Sequence, residues 1–423
     1  MSQSPPLADT LAAASRVVAR VLAGESLNTG LDRSDAVPPA IRAAIQNLCY
    51  GTLRDFGAPD LILKALARRS LPERRVRALL LCALHELRHE RRAPYTVVDE
   101  AVTACAQIGH AAARGFVNAS LRNFLRRREA FEADATQNAV GRFGYPQWWI
   151  ARIEHAYPTM WQELLVAGNV HAPMALRVNC RKLDAEMYVA KLADRGIPAS
   201  RRGRCGVLLA CPRGVDDLPG FAEGEASVQD LGAQLAAPLL DLRDGLRVLD
   251  ACAAPGGKTG HILELVDVDL LALDHDAARA SRIEANLERL DLRASVRVGD
   301  AGDLAEWWDG RPFDRILLDS PCSASGVVRR HPDAKWLRRE SDLAGFAREQ
   351  SRLLDALWQT LAPDGKLLYA TCSVFPEENS AVVQSFAARQ ADARRLSLPE
   401  LGDGQLLPTH EHDGFFYALL EKI

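Results

Sequence analysis

The chain lacks the marks of several protein classes. Nine cysteines are present, yet no two stand as C-x-x-C, so neither a zinc ribbon nor a thioredoxin-like site is indicated and no metal is expected. No run approaches the roughly eighteen apolar residues of a membrane span. The opening Met1-Ser-Gln-Ser-Pro-Pro has neither the basic flank nor the apolar stretch of a secretory leader. No internal repeat or low-complexity tract occurs. What is there is globular. Apolar residues make up 48% and charged residues 25%, and 423 residues suit two or three domains. A chain of this size buries a core without staples, so its odd, scattered cysteines are expected to be free thiols in a reducing cytoplasm.

The net charge of −3 hides an asymmetry. Residues 1–140 carry 19 Lys+Arg against 14 Asp+Glu, residues 141–240 carry 11 against 10, and residues 241–423 carry 22 against 31. A basic N-terminal part joined to an acidic C-terminal part fits a phosphate-facing module on a catalytic one, although solvated helix faces give the same numbers.

Residues 7–135 carry helical periodicity throughout. Leu11, Val17, Val18, Val21 and Leu22 form one stripe, closed by Gly24. Further stripes run through Ile41, Ile45, Leu48 and Leu53, then Leu79 to Leu87, then Val97 to Cys105, then Phe116 to Leu125. The third is apolar over most of its surface and is expected at the centre. Composition shifts near residue 140, where Gly141, Gly144 and Pro146 precede Trp148 and Trp149. Residues 141–235 read as a small α+β region, with strands at 176–179 and 207–210 around a helix at 184–194. Arg201, Arg202 and Arg204 cluster there, on a solvated turn or against RNA. From about 245 short apolar strands alternate with amphipathic helices, the pattern of a parallel, doubly wound sheet. The division expected is thus 1–140, 141–235 and 236–423.

The first βα turn of that sheet reads Asp250-Ala-Cys-Ala-Ala-Pro-Gly-Gly-Lys-Thr259. A Walker A loop needs glycine at position 252, which is cysteine, and the spacing of Gly256, Gly257 and Gly260 fails the dinucleotide fingerprint. What remains is a small-residue turn that lets a ligand approach the backbone and the helix N-terminus. Asp274 closes the second strand, where an acid typically takes ribose hydroxyls. Asp300 closes the third, within reach of an adenine amino group. Acids at consecutive strand ends with no phosphate grip favour a nucleoside ligand without pyrophosphate. S-adenosyl-L-methionine fits, and its sulfonium suits an acidic pocket.

The next two strands end Asp319-Ser-Pro-Cys322-Ser and Ala370-Thr-Cys372-Ser. If they are neighbours, two thiols and an acid face one crevice at the carboxyl edge. A buried cysteine is ordinarily a small hydrophobe. Two of them at strand mouths beside an aspartate and a methyl donor suit methylation of cytosine carbon 5. That carbon becomes nucleophilic only after a thiolate adds to C6. Asp319 would support the charge at N3, a base would remove the C5 proton, and Lys258 or a helix N-terminus would lower a thiol pKa. The residues alone do not order the two cysteines.

The motifs at 250–259, 319–323 and 370–373, with Pro376-Glu377-Glu378-Asn379, resemble the RNA cytosine-C5 methyltransferase family. Asn47-Leu-Cys-Tyr-Gly-Thr-Leu-Arg54 and Gly115-Phe-Val-Asn-Ala-Ser-Leu-Arg122 are similar to a NusB-like helical RNA-binding domain, which the bacterial small-subunit rRNA branch of the family carries. Val327-Val-Arg-Arg-His-Pro-Asp-Ala-Lys-Trp336 and Asp413-Gly-Phe-Phe-Tyr417 resemble the same branch. The resemblance implies an all-α NusB-like domain, a small α+β middle region and a Rossmann-like class I methyltransferase domain. It implies that Cys252, Ala253, Ala254, Pro255, Gly256, Gly257, Lys258, Asp274, Asp300 and Asp319 line an S-adenosylmethionine site. It makes Cys372 the nucleophile and Cys322 the residue that assists release. DNA cytosine-C5 enzymes use the cysteine of a Pro-Cys pair, which here would be Cys322.

The target base must lie in a loop or be flipped out. Arg329, Arg330, His331 and Lys335 follow the Pro-Cys loop and are expected to grip phosphates, with Arg122 and Arg126 to Arg128 extending the footprint. The expected partner is 16S rRNA, with tRNA the nearest rival substrate, and nothing calls for more than a monomer. A scaffold with a degenerate catalytic half is disfavoured by the intact Cys322, Cys372 and Asp319. An oxidoreductase is disfavoured by the glycine spacing.

Overall fold

The computed structural model describes residues 6–32, 39–67 and 73–423. Residues 1–5, most of the stretch in which no leader is read, lie outside them. The chain divides into two compact units, one built from residues up to 170 with 328–340, the other from 171–327 with 341–423.

The first unit is helical: α1 (Leu7–Val21), α2 (Leu27–Asp32), α3 (Pro39–Arg54), α4 (Gly57–Leu66), α5 (Arg74–Arg88), α6 (Pro94–Gln107), α7 (Arg114–Arg126), α8 (Arg128–Gln137), α9 (Ala139–Phe143), α10 (Gln147–Ala156) and α11 (Trp161–Ala167). The stripes expected from periodicity fall on α1, α3, α5, α6 and α7. Helix α5 is the axis, as expected. Every residue from Ala78 to Leu87 on it is buried, and α1, α3, α4, α6 and α7 pack around it. Each of its buried leucines contributes about 1.5–3 kcal/mol by leaving water. Phe116, in the first turn of α7, is 40% exposed and takes no part in the core.

The segment 328–340 also belongs to this unit. The Asp333 carboxylate accepts from Leu27 N at 2.8 Å, and the Trp336 indole donates to Leu53 O at 2.8 Å. Trp336 also packs on Phe56, ring centres 4.6 Å apart. Lys335 Nζ donates to Asn169 Oδ1 at 2.7 Å and to Arg54 O at 3.1 Å. Arg329 and Lys335 are fully buried, which corrects the expectation that they grip phosphates. Both side chains lie inside the helical packing, where no RNA backbone can reach.

The second unit begins with β1 (Ala175–Val178), α12 (Ala185–Asp194), β2 (Ala199–Arg202), β3 (Gly206–Leu209) and β4 (Ala226–Val228). The strands form one antiparallel sheet in the order β2-β3-β1-β4. Antiparallel pairing of β1 with β3 brings Cys180 beside Cys205. The two are joined as a disulfide, Cα atoms 6.4 Å apart. For these two cysteines the expectation of free thiols is therefore corrected; the other seven are free.

The larger sheet follows through α13 (Ala236–Leu239), β5 (Arg247–Ala251), α14 (Gly257–Leu265), β6 (Asp269–Asp274), α15 (Ala277–Leu290), β7 (Ser295–Val298), α16 (Leu304–Trp307) and β8 (Phe313–Asp319). The helical turn α17 (Ala334–Leu337) lies in the first unit. Then come α18 (Asp342–Gln359), β9 (Leu361–Thr371), α19 (Ser380–Arg389), β10 (Ala393–Leu396), β11 (Gln405–Leu406) and β12 (Phe415–Lys422). The strand order is β10-β12-β9-β8-β5-β6-β7, with β11 on β12. Strands β9, β8, β5, β6 and β7 are parallel, while β12 runs antiparallel beside β9 and β10 runs antiparallel beside β12. The purely parallel sheet expected from the alternation is thus extended into a mixed one.

Period-two alternation feeds both faces. Leu249, Leu271, Leu273, Ile316 and Leu318 pack under α18 and α19, and Val248, Leu270, Ala272 and Leu317 under α13, α14 and α15. Chain order reverses at β5, so the crevice opens at the carboxyl ends of β5, β6 and β8.

Candidate active site

The loop from β5 to α14 is shaped by small residues for a stated reason. Gly256 sits at φ +93°, and a Cβ there would meet Ile283 Cα at 3.1 Å. Only glycine gives that turn without strain. A Cβ on Gly257 would meet nothing nearer than Gln229 Nε2 at 3.8 Å, so the loop is open on that side. Asp274 at the end of β6 is buried and anchors the loop, its carboxylate accepting from Ala254 N at 3.1 Å and Asp276 N at 3.2 Å. Asn286 Nδ2 holds Pro255 O at 2.8 Å.

Beneath the loop lies Asp250, fully buried. It accepts from Thr259 Oγ1 at 2.6 Å through Oδ2, and Oδ1 has no partner. Burial pushes its carboxyl up to about 7, against the pull of the Thr259 bond. Asp300, at the end of β7, accepts from Gly302 N and from Arg352 Nη2 at 2.9 Å. The Arg352 hydrogen bond is the main reason its carboxyl lies below the ordinary range.

The neighbouring strands β8 and β9 pair in parallel with Asp319 opposite Ala370, as expected. Their mouths place Cys322 Sγ 3.4 Å from Cys372 Sγ. Lys258 Nζ lies 2.6 Å from Asp319 Oδ2. Burial pulls the Lys258 amine down, but the charge and hydrogen bond of Asp319 outweigh it, and the net shift is upward, with the Cys372 thiolate adding to it. Contact with Cys372, then burial, pushes the Cys322 thiol well above its ordinary value.

Two features escaped the sequence reading. The first is Glu378, fully buried behind both thiols. It accepts from Ser323 N at 2.7 Å, Ser323 Oγ at 2.5 Å and Ser373 Oγ at 2.6 Å. One carboxylate therefore ties the residue after each cysteine, and Asn379 Nδ2 adds a bond to Ser373 O at 2.9 Å. The second is Arg177 on β1, also fully buried. It ion-pairs with Glu264 at 2.7 Å and donates to Gly257 O at 2.6 Å, so the small sheet supports the β5–α14 loop. The Ser-after-Cys repeat in the two motifs was the available signal for Glu378; none existed for Arg177.

Most of the remaining sequence-predicted residues belong to the helical unit. Arg122, Arg126 and Arg127 are exposed on and just after α7, with Arg127 over the Phe131 ring. Arg330 and His331 are half-buried in the helical unit. Arg202 pairs with Glu411 at 2.7 Å, so that cluster is partly neutralised.

Residues 237–421 match the family described as 16S rRNA methyltransferase RsmB/F, residues 145–216 the RsmF/B-like ferredoxin-like domain, and residues 10–126 the NusB family. The chain is 43% identical to ribosomal RNA small subunit methyltransferase B of Vibrio cholerae, over 97% of this chain and 96% of that one. It is 44% identical to the protein of the same description from Pseudomonas putida, over 97% and 98%. The crystal structure of PH0851 superposes with a TM-score of 0.83 over 99% of both chains at 24% identity, a likeness of fold.

Proposed function

This chain belongs to the ribosomal RNA small subunit methyltransferase B family, and we propose that it methylates carbon 5 of a cytosine in 16S rRNA through a covalent cysteine–C6 adduct. The observation that carries the chemistry is the pair of thiols 3.4 Å apart beside the Lys258–Asp319 ion pair.

The residues around the β5–α14 loop fit S-adenosylmethionine. The Gly256 turn is a cradle that a Cβ would fill, and Asp250 and Asp274 place carboxyl groups at its floor. Residues 252–258 with Asp274, Asp300 and Asp319 would hold it. When bound it supplies an electrophilic methyl group.

The protein's own steps are read from this arrangement together with the family resemblance. Cys322 Sγ and Cys372 Sγ lie 3.4 Å apart, where either can donate to the other, and the resemblance to the RNA cytosine-C5 family, not the geometry, makes Cys372 the nucleophile. Cys372 thiolate adds to C6 of cytosine, forming the S–C6 bond and moving an electron pair toward C5 and N3. In its protonated form Asp319, held by Lys258, would donate to N3 as that charge develops. After C5 is methylated, a base takes the C5 proton, the S–C6 bond breaks and the thiolate is regenerated. Cys322 assists this release. The exposed Arg122, Arg126 and Arg127 supply phosphate contacts. The enzyme acts in the cytoplasm, as a monomer.

Wild type, Cys322→Ala and Cys372→Ala are to be incubated with S-adenosylmethionine and unmethylated 16S rRNA and run on denaturing gels. Cys322→Ala should accumulate a protein–RNA adduct and Cys372→Ala should form none, with turnover lost by about 10³-fold or more. The reverse pattern swaps the two roles. Methyl transfer to tRNA alone would refute the substrate.

A further inference from the structure

We propose that Asp55, His85 and His89 in the helical unit form a binding site for one divalent cation of the zinc class, fastening the end of α3 to α5. The three ligand atoms lie within 4.8 Å of one another. Asp55 directly follows the last residue of α3. His85 and His89 stand one turn apart at the end of α5 and so share a face.

The distances suit a shared metal as well as they suit hydrogen bonds. His85 Nδ1 and His89 Nε2 each lie 3.3 Å from the same oxygen, Asp55 Oδ2. N–H···O bonds centre on about 2.9–3.0 Å. In a tetrahedral site with bonds of about 2.0–2.1 Å, adjacent ligand atoms stand about 3.3–3.4 Å apart. Two imidazoles and one carboxylate oxygen also suit zinc rather than magnesium or calcium, which take oxygen shells.

The surroundings are those of a ligand set. The other oxygen, Asp55 Oδ1, accepts from Arg88 Nη1, which leaves Oδ2 turned toward the two rings. Arg88 is in turn held by Glu132 at 2.9 and 3.1 Å. Such outer partners fix the orientation of metal-binding carboxylates. Asp55 and Glu132 against Arg88 leave one negative charge to set against the cation. Gly51 makes room, since a Cβ there would stand 2.4 Å from His85 Nε2. That nitrogen has no hydrogen-bond partner, so Nδ1 is the ring's only polar attachment. His85 is buried, whereas the His89 side chain is 46% exposed, giving an entry path and room for a water as fourth ligand. The sequence reading expected no metal because it looked for cysteine spacings, and Asp55 lies thirty residues from His85.

The test uses the full-length protein, stripped with a chelator and titrated with Zn²⁺ by calorimetry and with Co²⁺ by visible absorption. One equivalent should bind, with the absorption of tetrahedral nitrogen–oxygen cobalt and a rise in melting temperature on adding Zn²⁺. His89→Ala, at a half-exposed position that leaves the core intact, should weaken binding at least about tenfold, and Asp55→Asn likewise. Absence of binding in wild type would overturn the proposal and leave a hydrogen-bonded cluster. So would Zn²⁺ binding that survives in His89→Ala but is lost in Cys322→Ala, which would put the metal on the thiols.

Discussion

Glu378 is the residue on which both thiols depend without its touching either. Removing its carboxylate leaves the buried Ser323 amide without an acceptor, at about 1–3 kcal/mol, and the Ser323 and Ser373 hydroxyls with only each other and Ser325. Glu378→Ala should therefore lower kcat by about 10²-fold or more while leaving the affinity for S-adenosylmethionine within a few fold, as read by steady-state kinetics and calorimetry. Glu378→Gln, which keeps an acceptor, should recover part of the rate. A role in bulk stability alone would instead lower the melting temperature of both variants and spare kcat. Asp250 offers a second test at this scale. Its folded pKa, about 7, lies above the roughly 3.9 of an unfolded aspartate. The folded state thus binds the extra proton between those values, and stability falls as pH rises through that window. Asp250→Asn should flatten the pH dependence of urea unfolding between about pH 4 and pH 7. Neither effect was legible in the sequence. Glu378 meets Ser323 across 55 residues, and a strand-end acid reads the same whether buried or wet.

Elements were legible in proportion to their periodicity. The stripes of α1, α3, α5 and α6 fall where apolar spacing puts them, because one face of each meets a common core. The parallel strands were legible because each is a short apolar run ending in a turn. Strand β12 escaped notice. It lies between β9 and β10 and is buried on both faces, so its Phe-Phe-Tyr-Ala-Leu-Leu run carries no alternation. The β5–α14 loop gives the element-scale prediction. Gly256→Ala forces a side chain into left-handed backbone at about 1–2 kcal/mol and against Ile283. Affinity for S-adenosylmethionine should fall about tenfold in calorimetry, with the adduct-forming thiols unaffected.

Charge was the least reliable guide across the whole molecule. Arg329 and Lys335 read as an RNA grip because they follow a catalytic loop and are cationic, yet both are buried inside the helical unit, and the Lys335 amine is spent on the Arg54 carbonyl, the Asn169 amide and aromatic rings. Lys335 illustrates the physics, since burial, with the nearby Arg54 charge, holds its amine well below the ordinary value. The exposed arginines at the end of α7 remain the proposed electrostatic footprint. Changing Arg122, Arg126 and Arg127 together to Gln should raise KM for 16S rRNA and lower the slope of log K against log salt by about 2–3, with kcat unchanged. An unaltered salt slope would remove those residues from the interface.

The order of the two thiols is the claim on which the mechanism turns. The most direct measurement is to trap the enzyme on 16S rRNA carrying 5-fluorocytidine, whose C5 fluorine cannot leave as a proton, and to map the cross-linked tryptic peptide by mass spectrometry. The account predicts the nucleotide on the peptide spanning residues 367–389, at Cys372. A nucleotide on the peptide spanning 316–329, at Cys322, would contradict it.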